Sequence, residues 1–96
     1  MKESVFQKKL KKDIFMRFPD SIIFKTDSKQ MQGVPDLLIL NGNHWCMLEV
    51  KNNPKAKHQS NQDLRVDQFN KMSYAAFIYP ENEEAILNDM ERLFQS

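Results

Sequence analysis

The sequence predicts an α/β fold: one domain over residues 1–96, with elements in the order α-β-β-β-α-β-α and a central mixed sheet flanked by helices. Three observations carry this. Apolar residues recur every four positions from Phe6 to Phe18 and then change to strand-like runs, a switch of period from helix to strand. An Asn41-Gly42 pair separates two apolar runs, the strongest short hairpin signal. In that hairpin both faces are apolar, with Leu38 and Leu40 on one side and Leu37 and Ile39 on the other. A sheet buried on both sides needs helices on both sides.

Each element has its own warrant. Residues 2–18 form an amphipathic helix whose Phe6, Leu10, Ile14 and Phe18 stack on one face. Glu3 falls in the middle of that face, Asp13 borders it, and Lys8, Lys9, Lys11 and Lys12 point elsewhere. Pro19-Asp20 ends the helix, and residues 21–26 make a short strand. Residues 27–33 are a polar loop whose Gly33 makes the turn or allows backbone to approach a ligand closely. The hairpin follows, and then a basic loop, Asn52 to Gln59. Ser60 with Asp63 reads as a capping box opening a helix over 61–73. In it, Leu64, Gln68 and Met72 share one stripe, which predicts an inward Gln68 in need of polar partners. Residues 74–79 form the last strand, closed by Pro80. Residues 82–94 form the last helix, with Ile86, Met90 and Leu93 inward and Glu83, Glu84, Asp89 and Glu91 outward.

The single cysteine, Cys46, rules out a disulfide framework within the chain and points to a reducing, cytoplasmic setting. The N-terminal residues lack the apolar run of a signal peptide, and no segment approaches the ~20 apolar residues of a membrane span. Net charge is only +1, but it divides unevenly. Residues 1–60 hold eleven Lys/Arg against six Asp/Glu; residues 61–96 hold three against seven. That asymmetry predicts a basic side that meets a polyanion and an acidic C-terminal helix facing away from it. The bland alternative is a mixed, solvated surface.

One feature does not fit a plain core. Asp36, in Gly33-Val34-Pro35-Asp36-Leu37, and Glu49 and Lys51, in Leu48-Glu49-Val50-Lys51, place charge in apolar strands. A two-residue Asn41-Gly42 loop sets Asp36 across from Met47 and puts Asp36, Glu49 and Lys51 on one face. A three-residue loop changes that parity. Two carboxylates about 4 Å apart repel by about 4 kcal/mol at an effective dielectric of 20, so such a pair needs a cation: a divalent metal or the Lys51 ammonium. An exposed strand end with a weak Glu49–Lys51 ion pair is the alternative. For Glu3, the alternative to a metal role is simple compensation of the helix dipole. His44, His58 and Cys46 lack any recurring zinc-ligand spacing, and two glycines supply no phosphate loop.

Pro35-Asp36 followed by Glu49-Val50-Lys51 resembles the PD-(D/E)XK nuclease motif, and the element order is similar to that superfamily's restriction-endonuclease-like core. The spelling Gly33-Val34-Pro35-Asp36-Leu37, then Leu48-Glu49-Val50-Lys51, a basic loop and Gln68, resembles the VRR-NUC branch. Many of its members are small phage proteins akin to Holliday-junction resolvases. This chain departs from that branch at Ser73-Tyr74-Ala75-Ala76, where a Gly is common. The resemblance implies a Mg²⁺-dependent endodeoxyribonuclease, with Mn²⁺ as a substitute, acting on branched DNA as a homodimer. It implies catalytic roles for Asp36, Glu49, Lys51 and Gln68. Metal ligation falls to Asp36, Glu49 and the Val50 carbonyl, with Glu3 at the position of a first-helix acid. Independently of the resemblance, Lys55, Lys57 and His58 are the candidate phosphate contacts of the basic loop. Two other expectations stand beside this one: a non-catalytic nucleic-acid-binding module on the same core, and a protein-interaction role for the acidic last helix.

Overall fold

A computed structural model describes all 96 residues. The order is α1 (Glu3–Arg17), β1 (Ile22–Lys25), β2 (Leu37–Asn41), β3 (His44–Val50), α2 (Gln62–Met72), β4 (Ala75–Ile78), a short 3₁₀ turn (Pro80–Asn82) and α3 (Glu83–Gln95). The strands lie side by side as β1-β2-β3-β4, the first three antiparallel and β4 parallel to β3. The predicted order and the mixed sheet are both present.

Alternation along the strands decides which helix covers which face. Leu37, Ile39, Cys46, Leu48 and Val50 turn to one side and pack with Phe6, Leu10 and Ile14 of α1 and with Ile86, Leu87 and Met90 of α3. Met47 and Ala75 turn to the other side and pack with Val66 of α2, flanked by Leu38, Trp45, Phe69 and Phe77. The molecule therefore has three layers, and the larger core lies under α1 and α3.

Four sequence expectations are corrected in detail. The hairpin loop is Gly42-Asn43, not Asn41-Gly42, because Asn41 pairs with His44. Gly42 alone takes positive φ (60°), and Gly at the first central position is the pattern of a type II′ turn. This moves the register by two residues, which preserves the face of every side chain. The register also extends to set Asp36 opposite Glu49 itself, beyond the Leu37–Leu48 pair.

The capping box at Ser60 does not form. Asn61 is the residue before α2, in the left-handed region with φ 68°, and Asp63 instead receives the His58 ring at 2.7 Å. The α2 stripe is also rotated. Val66 is buried and Phe69 packs beside it, while Leu64 and Met72 are exposed. Gln68 is exposed with them rather than inward. Finally, α3 does not turn its acids away from the basic half. Glu83 meets Lys9 at 3.3 Å, and Glu91 and Glu84 meet Arg17 at 3.1 and 3.7 Å. Packing of α3 next to α1 on the same sheet face brings the opposite charges together.

Candidate active site

The backbone at Pro35-Asp36 is fixed before any side chain acts. Thr26 N–H donates to the Asp36 carbonyl (2.9 Å), and the Thr26 hydroxyl donates to the Pro35 carbonyl (2.6 Å). Asp36 thus sits where β2 begins, and its Oδ2 accepts the Val50 N–H at 2.9 Å. Within a strand the C=O of a residue projects to the same edge as its N–H. The Val50 carbonyl therefore leans toward the Asp36 side as well.

Glu49, near the end of β3, and Lys51, just past it, lie two residues apart on the α2 face at 2 % and 5 % exposure. Their charged ends lie 3.7 Å apart. Between them stands Gln62, in the first turn of α2. Its Nε2 donates to Glu49 Oε2 (2.9 Å), and its Oε1 accepts from Lys51 Nζ (2.8 Å) and from the Gln59 N–H (2.9 Å). Lys51 also donates to the Lys57 carbonyl at 3.0 Å. The basic loop is therefore tied to the site through its backbone.

Glu49 Oε1 is buried and has no hydrogen-bond partner. An unsatisfied buried acceptor costs about 1–3 kcal/mol, more when charged. Burial, then the Asp36 carboxylate and a smaller contribution from Glu3, push the Glu49 carboxyl up to about 8; Lys51 opposes them. With both carboxyls ionised the site would hold more negative charge than its one ammonium balances, so without a further cation Glu49 keeps its proton near neutral pH.

Gly33 helps to shape the opening. It has φ +81°, and a Cβ there would meet the backbone C and O of Asn61 at 2.6 Å. The 27–33 loop consequently lies directly against the start of α2. Beside Asp36 this leaves a recess of about 400 Å³ lined by Ser28, Gln32, Gly33, Gln59, Ser60 and Gln62.

The structure thus brings Asp36, Glu49, Val50 and Lys51 together. Glu3, at the exposed start of α1, acts on Glu49 through its charge, but no group of three or more Asp, Glu, His or Cys converges. Gln68 lies elsewhere: its Oε1 accepts from Arg65 (3.0 Å) on the outer side of α2, beside Met31 and Met72. His58 is held by Asp63 and stacked on Phe77 at 4.1 Å, while Lys55 and Lys57 are exposed without ion pairs. Sequence reasoning missed Gln62. The available signal was its place at the first turn of the helix that follows the loop after Lys51.

The donor set fits a small hard cation. Mg²⁺ is usually bound through one or two carboxylates and keeps several waters, which matches Asp36, Glu49 and one carbonyl better than an all-protein cage would. The orphaned Glu49 oxygen is where such an ion would restore balance. No protein-family model matches the chain, and neither a curated protein nor a solved structure matches it.

Proposed function

We propose that the chain is a metal-dependent DNA endonuclease on a restriction-endonuclease-like core, hydrolysing phosphodiester bonds in branched DNA. The observation that carries this is the group of half-buried Asp36 with buried Glu49 and Lys51 at one end of the hairpin, with one Glu49 oxygen unpartnered. The PD-(D/E)XK resemblance of the same residues supports it. Asp36, Glu49 and the Val50 carbonyl would hold Mg²⁺ or Mn²⁺, with Glu3 adding negative charge from the first helix. When bound, that ion supplies charge stabilisation at the phosphate and a more acidic water.

The chain's own groups do the rest. Gln62 and the Lys57 carbonyl hold the Lys51 ammonium in place without neutralising it. There it orients the attacking water, or stabilises the charge that grows on the phosphate. The Val50 N–H fixes which Asp36 oxygen faces the site. Lys55 and Lys57 are free to contact flanking phosphates, each lowering the salt slope of binding by about one when removed.

The experiment is a cleavage panel over four-way junction, flap, nicked and plain duplex DNA with Mg²⁺. Asp36→Ala and Lys51→Ala should each lower cleavage by at least about a thousandfold while DNA binding persists. Full activity of either variant removes the assignment. Calorimetry with Mn²⁺ separates this reading from a non-catalytic nucleic-acid-binding module, which would show no heat of metal binding.

A further inference from the structure

The two faces of the sheet are covered unequally. Two helices, α1 and α3, pack on one face, whereas α2 alone packs on the other, over β3 and β4. Strands lie about 4.8 Å apart, so β1 and β2 leave a strip about one helix wide without a cover. Along that strip the register aligns Ile22 with Leu40 and Trp45, and Phe24 with Leu38 and Met47. Ile22 and Phe24 are 57 % and 50 % exposed, and Leu38, Leu40 and Trp45 are half-buried. The Trp45 ring forms a T-shaped pair with Phe69 of α2, centroids 6.2 Å apart.

Phe69 carries the apolar surface onward. With Met72 and with Met31 of the 27–33 loop it lines a groove of about 500 Å³, bordered by Arg65 and Lys71. Lys71 is paired with Asp67 (3.0 Å), but Arg65 makes no ion pair. Its Nε donates to the Gln32 carbonyl (3.3 Å) and its Nη1 to Gln68 Oε1 (3.0 Å), both neutral, and its Nη2 donates to nothing. The other two arginines, Arg17 and Arg92, each meet a carboxylate. The groove is also continuous with the candidate active site. Gln32, whose carbonyl Arg65 grips, lines the recess beside Asp36. On the sheet itself Asp36 precedes Leu38 by two residues on the same face, a separation of about 7 Å.

We infer that this surface is a stacking platform for an unpaired DNA strand, which runs from the recess at Asp36 past Arg65 onto Phe69, Trp45 and Phe24. Unpaired bases present apolar faces that stack on aromatic side chains whatever their sequence, and the phosphates between them need cations. Here the rings supply the faces, and Arg65 supplies a charge that no carboxylate cancels. A paired duplex keeps those base faces within its own stack, and exposing them costs unpairing energy. The platform therefore selects substrates with unpaired nucleotides beside the cut bond, as in a flap or an opened branch. The identity of the ligand rests on the nuclease reading. A protein partner on the same apolar strip would need neither the free guanidinium nor its continuity with the recess.

Trp45 is the only tryptophan, so the chain reports on its own platform. In EDTA, titration of the whole chain with a short oligothymidylate should quench Trp45 fluorescence saturably, with an affinity that falls as salt rises. A blunt duplex of the same length should bind at least about tenfold more weakly. Phe24→Ala and Arg65→Gln should each weaken the single-strand complex at least about fivefold, and Phe24→Tyr should preserve it. Phe15→Ala, exposed on α1 instead, should leave it unchanged. Absence of quenching, equal affinity for the duplex, or native affinity in Phe24→Ala overturns the inference; the first result leaves the strip to a protein partner. If Phe24→Ala does not fold, Arg65→Gln and the comparison of single strand with duplex decide. With no metal present the titration reads binding whether or not the chain cleaves, so its failure and that of the nuclease reading are separate results.

Discussion

Glu49 holds one oxygen against Gln62 and the other against nothing, in a place that burial and Asp36 make hostile to charge. Its folded-state pKa of about 8 lies above the ordinary 4.5, so without metal the folded chain binds a proton that the unfolded chain releases. Stability from this group is present below about pH 4.5 and is lost as pH rises toward 8. Glu49→Gln should therefore flatten the pH dependence of the metal-free melting temperature and raise stability near neutrality by about 1–3 kcal/mol. It should also abolish stabilisation by Mn²⁺. A melting curve for Glu49→Gln that keeps the wild-type slope between those pH values would contradict the burial argument. Gln62 and Gln68 give a paired test. Gln62→Ala should lower cleavage at least tenfold with little change in DNA affinity, because it releases both Glu49 and Lys51. Gln68→Ala, outside the site, should cleave at the wild-type rate.

Among the elements, the hairpin and the start of α2 position the site. The Gly42-Asn43 turn sets the register that brings Asp36 opposite Glu49, and Gly33 lets the preceding loop lie on Asn61. Gly33→Ala adds a methyl into backbone 2.6 Å away and a side chain at positive φ. It should cost about 2–3 kcal/mol in denaturant unfolding and lower cleavage through displacement of Gln62. Replacement of the nearby Ser28 by Ala should do neither. The hairpin, the order of elements and the apolar face of α1 were all legible, because each depends on residues close in sequence. The face of α2 was not. Leu64, Gln68 and Met72 make as regular a stripe as Val66 and Phe69, and only the packing of α2 on Met47, Trp45 and Ala75 selects between them.

At the scale of the whole molecule, a small three-layer fold keeps two further groups protonated. Burial pushes the Cys46 thiol up to about 12 from an ordinary 9.0. Burial, with the hydrogen bond from Tyr74 to Asp89, raises the Tyr74 phenol as well. Both hold protons that the unfolded chain releases above about pH 9–10, so stability should fall as pH rises beyond that point. Cys46→Ala should reduce that fall by up to about 1.4 kcal/mol per pH unit, measured by urea unfolding between pH 9 and 11. In the native protein the thiol should resist alkylation at pH 8 and react only on unfolding. The charge division followed by composition, +5 and −4 for the two parts of the chain, does not become two separate faces, because α1 and α3 interlock through Lys9, Arg17, Glu83 and Glu91.

The sequence by itself determined the order of elements, the two-sided sheet and the pairing of Asp36 with Glu49 and Lys51 on one face. These follow from local periodicity, a turn signal and the period-2 geometry of strands, which survived a two-residue change of register. The tertiary structure alone decided which glutamine joins the carboxylates and how the acidic and basic helices meet. Those depend on how a helix rotates against a sheet and on which helices share one face of it. Contacts between residues distant in sequence set both, and spacing along the chain does not encode them.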